Sequence, residues 1–217
     1  MPYFISSKAD HKLTVSVTIL LLFHFCGLIG FHTMYRDWFL SNTPLNLVLA
    51  TLLLLLNHKE LNLKMLLAFA GVFVAGFAVE VVGIKTGTVF GSYSYGDAFG
   101  TKFLGVPFVI GMNWAALCFA AATLVNQYFK FFWLKAFLAA AAPVSIDFLI
   151  EQVCETFDFW YWQNSQVPFQ NFISWYVCSF LFALMLIPVL RSSRNPFAPH
   201  FLLVQFIFFL ILNITHT

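Results

Sequence analysis

Three carboxylates lie near the ends of long apolar segments, where an ionisable side chain is costly to bury. Glu80 lies near the end of one segment, and Asp147 and Glu151 lie four residues apart near the end of another, so that they share one helical face. Two such carboxylates repel each other when both are ionised, and near lipid one is expected to keep its proton. We predict all three as catalytic groups for acid–base chemistry; the alternative is that they reach the interface or pair with Arg36 or a loop lysine.

Two loops follow these carboxylates and are the least lipid-like parts of the chain. The first, residues 83–107, contains glycines that permit tight turns and alternates around Tyr93 and Tyr95 as an extended segment would. The second carries three aromatic rings in a row at residues 160–162, which is denser than interfacial anchoring requires. The predicted substrate-binding residues are Tyr93, Tyr95, Asn113, Trp114, Asp158, Trp160, Trp162, Asn171 and Trp175.

The two loops also share a sequence pattern. Each closes with Val-Pro, at Val106-Pro107 and at Val167-Pro168, and a tryptophan follows seven residues after each proline, at Trp114 and Trp175. Both units run in the same direction through the apolar segments, as a parallel duplication would produce. Chance similarity is the alternative at this point.

The elements that carry these residues are apolar segments separated by short polar or turn-rich ones. Of the 217 residues 61% are hydrophobic and only 9% are charged, whereas soluble domains carry about 25% charged residues. A membrane span needs about 20 mostly apolar residues. We therefore predict one domain, residues 1–217: an all-α polytopic membrane bundle of about seven transmembrane helices with two outer loops rich in glycine and aromatic residues. The predicted spans are Leu13–Met34, Thr43–Asn57, Leu63–Val82, Val106–Gln127, Phe131–Ile150, Asn171–Leu190 and Phe201–Ile214.

Charge counting favours seven crossings. If the short second segment crosses, eight Lys and Arg residues lie on one side and three on the other; if it does not, the split is seven to four. The positive-inside rule prefers the larger asymmetry, which predicts a cytoplasmic N-terminus and a C-terminus outside. The larger set is Lys8, Lys12, Lys59, Lys64, Lys130, Lys135, Arg191 and Arg194, and the smaller set is Arg36, Lys85 and Lys102. Seven of the nine acids fall near the outer side, which indicates a site at that edge of the membrane.

Several other classes of site find no support in the sequence. The histidines form no HxxxH pair, which argues against a histidine-rich di-iron enzyme, and the last span lacks the lysine of a retinal protein. The cysteines have no metal-ligand spacing and are interpreted as buried free thiols. Because no basic run is present, we predict no nucleic-acid partner. Because metal-ligand spacing and nucleotide-binding motifs are missing, we predict no metal and no cofactor.

Taken in order, the motifs resemble a known family. The run Glu80-x-x-Gly83-x-x-Thr86-Gly87-x-x-Phe90-Gly91-x-Tyr93-x-Tyr95, with Gly105-Val-Pro107 and Asn113-Trp114, is similar to the prokaryotic carotenoid-biosynthesis membrane proteins. The block from Asp147 and Glu151 to Asn171 and Trp175 fits as well, so the resemblance covers residues 77–175. That family includes carotenoid 1,2-hydratases acting on lycopene-like ends and the haloarchaeal bisanhydrobacterioruberin hydratases.

The resemblance implies a cofactor-independent hydro-lyase of a prokaryotic cytoplasmic membrane. It would add water to the terminal C1–C2 double bond of a lycopene-like carotenoid. The roles of the acids rest on position and chemistry and not on the resemblance: we expect Asp147 or Glu80 to be the acid and Glu151 to orient water, with aromatic rings stabilising the cation. The expected partners are the carotenoid, reaching the site through a groove between spans three to six, water, membrane lipid and other enzymes of the pathway. Two alternatives stay open: a carotenoid cyclase using the same protonation, and a non-enzymatic protein that binds or transports carotenoid or lipid.

Overall fold

The computed structural model describes residues 7–190 and 193–216, with side chains from His11 onward. The helices are α1 (Ser7–Gly30), α2 (Arg36–Ser41), α3 (Thr43–Leu56), α4 (Leu63–Thr86), α5 (Phe108–Tyr128), α6 (Phe132–Glu151), α7 (Phe169–Leu190) and α8 (Ala198–His216). The strands are β1 (Tyr93–Tyr95), β2 (Lys102–Phe103), β3 (Val106–Pro107) and β4 (Trp160–Trp162). Among the charged residues counted above, Lys8, Asp10 and Arg191 lie outside the described side chains.

The predicted all-α polytopic bundle is confirmed. Within the described residues, six helices are long and apolar enough to cross a membrane, and α3 is a shorter apolar helix. Although α3 has only 14 residues, or about 21 Å at 1.5 Å per residue, it runs between the two ends of the bundle. It begins next to α2, whereas at its other end Asn57 Nδ2 donates to Ser16 Oγ, early in α1, at 2.8 Å. Asn195 Nδ2, in the connector before α8, donates to the Leu54 carbonyl at 2.8 Å at that same end.

The central helix of the bundle is α5. Of its most apolar stretch 72% is buried, compared with 22% for α1. Its middle is a run of buried small residues, Ala120–Ala122, which lets the neighbouring helices approach closely. At Gly111 a Cβ atom would lie 2.8 Å from the Phe73 carbonyl oxygen, so α4 and α5 are in contact at the level of the backbone. Because α5 is surrounded by other helices, it holds Trp114 in a fixed position.

Three connectors meet at one end of the bundle, which we call the site end. They are residues 31–42, 87–107 and 152–168. Strand β1 from the second connector pairs antiparallel with β4 from the third, with Tyr93 opposite Trp162 and Tyr95 opposite Trp160. Strands β2 and β3 form a second short antiparallel pair before α5. The extended segment expected around Tyr93 is therefore present, and its partner is the aromatic run of the other loop.

The C-terminal ends of two helices differ from the predicted spans by four residues each. The first helix ends at Gly30, earlier than predicted, because the chain turns there into α2, whose Phe39 ring occupies the space that a Cβ atom at Gly30 would need. Helix α4 continues beyond the predicted Val82 to Thr86 and ends at Gly87, whose φ of 65° suits glycine. Helix α2 was not predicted, because six residues are too few to show a helical pattern.

Candidate active site

Glu80 is a buried carboxylate of α4 that accepts three hydrogen bonds. Only 2% of its surface is exposed. Trp114 Nε1 donates to Oε1 at 2.8 Å, the Tyr95 hydroxyl donates to Oε2 at 3.0 Å, and the Tyr93 hydroxyl donates to the same Oε2. Because an ionised carboxylate can accept about four hydrogen bonds, these donors suit the ionised form and leave about one acceptor position open.

Glu151, at the end of α6, has a matching environment that is built from the second loop. Nε1 of Trp162 and Nε1 of Trp160 donate to Oε2 at 2.8 Å and 3.0 Å. Asn171 Nδ2, from the first turn of α7, donates to Oε1 at 2.8 Å. The donors again suit an ionised carboxylate, and the open acceptor position is on the oxygen beside Asn171.

Asp147 lies one helical turn before Glu151 and has fewer partners. Asn171 Nδ2 donates to its Oδ2 at 3.1 Å, while Oδ1 is buried without a hydrogen-bond partner among residues 7–190 and 193–216. A buried acceptor left unpaired costs about 1–3 kcal/mol, and more when it is charged. Protonation of Asp147 removes the larger cost of a buried charge, and Oδ1 can then carry a hydrogen that is donated to a ligand. The Asn171 amide therefore bridges two carboxyl groups whose environments differ.

The rings of the two loops lie against each other around these carboxylates. Tyr93 contacts Trp162 with ring centroids 5.1 Å apart. Trp114 and Trp175, the two tryptophans that follow the Val-Pro pairs, stack face to face at 3.7 Å and 14°. Strands β1 and β4 pair antiparallel, as two units related by a two-fold axis would. The segments that share the sequence pattern are therefore in contact with each other in the structure.

A cavity of about 290 Å³ connects the three carboxylates. Its volume is close to the lower end of the range for small-molecule sites, about 300–1,000 Å³, and its lining is mostly apolar. Ten of the twelve predicted site residues line it: Glu80, Tyr93, Tyr95, Asn113, Asp147, Glu151, Trp160, Trp162, Asn171 and Trp175. Among the described residues, no group of three or more His, Cys, Asp and Glu side chains has the arrangement of a metal site.

The remaining two predicted residues, Trp114 and Asp158, lie behind the cavity wall. Trp114 holds Glu80 and stacks on Trp175. Asp158, with a positive φ of 55°, accepts a hydrogen bond from the Asp97 backbone N–H at 2.8 Å and another from the Tyr161 hydroxyl at 2.8 Å. Asp158 therefore fixes the two loops to each other and does not face the cavity.

The sequence profile of a family described as carotenoid biosynthesis protein matches residues 42–217. The chain belongs to this carotenoid biosynthesis family. No curated protein and no solved structure matches it. The family match covers α3 to α8 and all twelve predicted site residues, and it confirms the resemblance drawn from the ordered motifs. Helices α1 and α2 precede the matched segment.

The cavity of this carotenoid-biosynthesis protein also contains polar residues that the sequence analysis missed. Asn42 and Asn46 reach it from the beginning of α3, and His24 of α1 and Gln205 of α8 reach it from the opposite wall. Amide side chains in otherwise apolar segments were the available signal, since polar groups are costly in lipid unless they face the interior. These residues lie outside the segment 77–175 that carries the ordered motifs, so the motifs did not predict them.

Two expectations about this region need correction. The groove was placed between spans three to six, but residues of α1, α2, α3 and α8 also line the cavity. The cysteines were interpreted as buried free thiols, and all four are free, but Cys26 is exposed and Cys178 only partly buried. Cys26 lies on the outer surface of α1 at the edge of the cavity.

The two phenols that hold Glu80 are kept in their protonated form. Burial and the negative charge of Glu80 raise the pKa of Tyr93 and the pKa of Tyr95 well above the ordinary tyrosine value of 10.0. Both hydroxyls therefore act as donors throughout the neutral pH range. The indole N–H groups that donate to Glu151 do not lose their protons in the accessible pH range. The two carboxylates therefore accept hydrogen bonds from chemically different donors.

Proposed function

We propose that this protein is a carotenoid hydratase that adds water to the terminal C1–C2 double bond of a lycopene-like carotenoid and gives a tertiary alcohol. One observation carries the proposal: among the described residues, Oδ1 of buried Asp147 has no hydrogen-bond partner, and it lies in the same cavity as Glu80 and Glu151, both of which are surrounded by donors. A carboxyl group that can donate a proton, beside two carboxylates that can stabilise positive charge, is the equipment that alkene hydration needs.

Asp147 is the proton donor in this scheme. Its O–H bond breaks, the π electrons of the terminal double bond form a new C2–H bond, and a tertiary cation develops at C1. The choice of Asp147 over Glu80 rests on hydrogen bonding, since the Glu80 oxygens receive three donors while Asp147 Oδ1 receives none among the described residues. The alternative of Glu80 as the acid would require a proton on an oxygen that already accepts a hydrogen bond.

The developing cation is stabilised by charge and by aromatic faces. The ionised Glu80 and Glu151 lie on the same cavity and supply negative charge in an apolar surrounding, where its effect is large. The rings of Trp175, Tyr93 and Trp162 line the cavity and offer π faces to a cation.

Water then adds at C1. Glu151 orients the water through the acceptor position beside Asn171 and takes its proton as the C1–O bond forms. The Asn113 amide also lines the cavity, and no hydrogen bond of its side chain is found among the described residues, so it is free to hold the water. Transfer of the proton from Glu151 back to Asp147 restores the enzyme, and the net reaction consumes one alkene and one water.

The same proposal includes an orientation in the membrane. Because the charge count places Arg36, Lys85 and Lys102 at the site end and most other basic residues at the opposite end, the positive-inside rule puts the N-terminus in the cytoplasm of a prokaryotic cell. The C-terminus and the site end then lie outside. Other enzymes of the pathway would meet this protein in the same membrane.

The proposal is tested by expressing the protein in cells that accumulate lycopene and analysing the pigment by chromatography and mass spectrometry. A more polar pigment heavier by one water is the expected result. A cyclised pigment of unchanged mass would replace hydration with cyclisation, in which a neighbouring double bond traps the same cation. Unchanged lycopene and unchanged longer or partly modified carotenoids, with the protein present in the membrane, would refute a hydratase and favour binding or transport.

A further inference from the structure

The cavity extends well beyond the carboxylates, toward the outer surface of the bundle. From the carboxylates it continues past Asn46 of α3 and Gly27 of α1 to Phe23 and Cys26 of α1 and Leu45 of α3. Phe23 and Leu45 are 40% and 58% exposed, and Cys26 is exposed as well. These three residues therefore form the rim of an opening on the side of the bundle. The site therefore opens sideways as well as toward its own end.

This opening exists because α1 and α3 are joined at one end only. At the end away from the site, Asn57 donates to Ser16 and Lys12 Nζ donates to the Leu56 carbonyl. At the site end α1 instead packs against α8, where His24 contacts Phe208 with ring centroids 5.2 Å apart. Helix α2 bridges the gap there, and its Trp38 and Phe39 line the cavity.

The opening lies at the depth of the spans. Phe23 and Cys26 precede the end of α1 at Gly30 by seven and four residues, which is about 11 Å and 6 Å along the helix axis at 1.5 Å per residue. The rim residues Phe23 and Leu45 are apolar, so the opening faces lipid hydrocarbon rather than headgroups. Apart from the three carboxylates, no charged side chain of the described residues lines the cavity.

We propose that this lateral opening between α1 and α3 is the passage for the carotenoid substrate: the terminal unit lies at Asp147 while the polyene chain runs out between the two helices into the bilayer. The proposal rests on the proposed function for the identity of the reacting end. Two observations select a polyene as the occupant. First, the cavity is too small for a whole carotenoid, so most of an elongated apolar substrate must remain outside it. Second, the passage connects the carboxylates at its inner end with an apolar rim at its outer end.

The walls of the passage lie partly outside the family match. Its α1 and α2 walls precede residue 42, where the family match begins, whereas its α3 wall and the carboxylates lie within the match. The carboxylates therefore lie in the segment matched by the family, whereas part of the passage wall lies outside the matched segment.

The test places a bulky side chain at the rim and compares it with the same change on the lipid-facing surface nearby. Cys26→Trp and Leu45→Trp narrow the passage, while Ile29→Trp on α1 and Leu52→Trp on α3 add the same side chain at exposed positions that do not line the cavity. Each is combined with Asp147→Asn, and the carotenoid that remains bound to the purified protein is measured by absorbance per mole of protein. Because this readout does not depend on turnover, it separates the passage from the reaction.

We expect both rim variants to retain about tenfold less pigment than the parent, which corresponds to about 1.4 kcal/mol and lies within the usual cost of overpacking, and both control variants to match the parent. Equal retention in rim and control variants, or equal loss in both, would overturn the proposal. If the wild-type protein forms no hydrated product and the rim variants still lose pigment, the passage stands and the hydratase proposal fails. If the wild-type protein hydrates carotenoid, and Cys26→Trp and Leu45→Trp made without the Asp147→Asn change hydrate it at the wild-type rate, the passage fails and the hydratase proposal stands.

Discussion

The two units that meet at the site end follow the same plan but differ in their donors and in the residue one helical turn before the glutamate. In the unit formed by α4, β1 and α5, Glu80 receives donors from the strand and from Trp114. In the unit formed by α6, β4 and α7, Glu151 receives donors from the strand and from Asn171 at the start of α7. One helical turn before each glutamate, the first unit has Gly76 and the second has Asp147.

This difference has a packing cause. A Cβ atom at Gly76 would lie 2.6 Å from Trp114 Cβ, so the first unit has no room for any side chain there. In the second unit the corresponding position holds a carboxyl group that reaches Asn171 and lines the cavity. The first unit therefore supplies a fixed negative charge, whereas the second supplies both a charge and a proton donor. Two similar frameworks thus produce one asymmetric site.

The largest expected effect comes from removing the proton donor. Asp147→Asn keeps the size of the side chain and can still accept a hydrogen bond from Asn171, but it cannot donate an acidic proton. We expect the rate of carotenoid hydration in membranes to fall by about 10²–10⁴-fold, the usual contribution of a general acid. Product is measured by chromatography at equal amounts of membrane protein.

The matched control is Asp37→Asn, which makes the same change on an exposed carboxyl in α2 at the same end of the bundle. Its rate should equal that of the wild type. An Asp147→Asn variant that retains full activity would move the acid to the first unit. Glu80→Gln would then have to abolish the reaction, and full activity in both variants would exclude carboxylate acid catalysis at this site.

Sequence patterns predicted the fold and most of the polar and aromatic residues that line the cavity around the carboxylates, because the constraints there are local. Apolar length fixes the spans, and the positions of Glu80, Asp147 and Glu151 near span ends place all three at one side of the membrane. Ten of the twelve predicted site residues reach one cavity for this reason. The Val-Pro pattern was recognised, but nothing local in it says that Trp114 and Trp175 stack.

The parts that could not be predicted depend on contacts between distant segments. The strand pairing of Tyr93 with Trp162 joins loops about 70 residues apart, and neither strand exceeds three residues, too few for a period-two pattern to be decisive. Asp158 has the residue type of a ligand-binding group, but its positive φ and its bond to Asp97 assign it to holding the loops. The separation of α1 from α3 follows from how α1 packs on α8, which no pattern within either helix reveals.

A smaller effect is expected where the first unit has no room. Gly76→Ala places a methyl group against Trp114, so α4 and α5 must move apart and the hydrogen bond from Trp114 to Glu80 is disturbed. We expect a loss of about 1–3 kcal/mol in the free energy of unfolding. The measurement is the thermal unfolding midpoint in detergent, together with the hydration rate.

Gly71→Ala is the control for this change, because the nearest atom to a new Cβ atom there is Met185 Cε at 3.4 Å, the end of a flexible side chain. That variant should be as stable as the wild type or more stable by up to about 1 kcal/mol, since alanine favours a helix over glycine. A Gly76→Ala protein at least as stable as Gly71→Ala would mean that the small residue is not required by packing and that the asymmetry between the units has another origin.

The smallest expected effect is on the pH dependence of the free energy of unfolding, because the phenol donors of the first unit titrate and the indole donors of the second do not. The pKa values of Tyr93 and Tyr95 are raised in the folded protein by burial and by Glu80. The contribution of these two phenols to the free energy of unfolding is therefore constant below pH 10.0, the ordinary tyrosine pKa, and decreases as the pH rises above it. The slope is at most about 1.4 kcal/mol per pH unit for each phenol. The indoles of the second unit contribute nothing to this slope.

The test is the free energy of unfolding in detergent between pH 8 and pH 11. It should fall less steeply with pH in Tyr95→Phe than in wild type. The control is Tyr128→Phe, which changes an exposed phenol at the other end of α5 and should leave the slope unchanged. If Tyr95→Phe and Tyr128→Phe gave the same slope as wild type, the phenols would not hold Glu80 in the way described, and the difference in donors between the two units would have no energetic consequence.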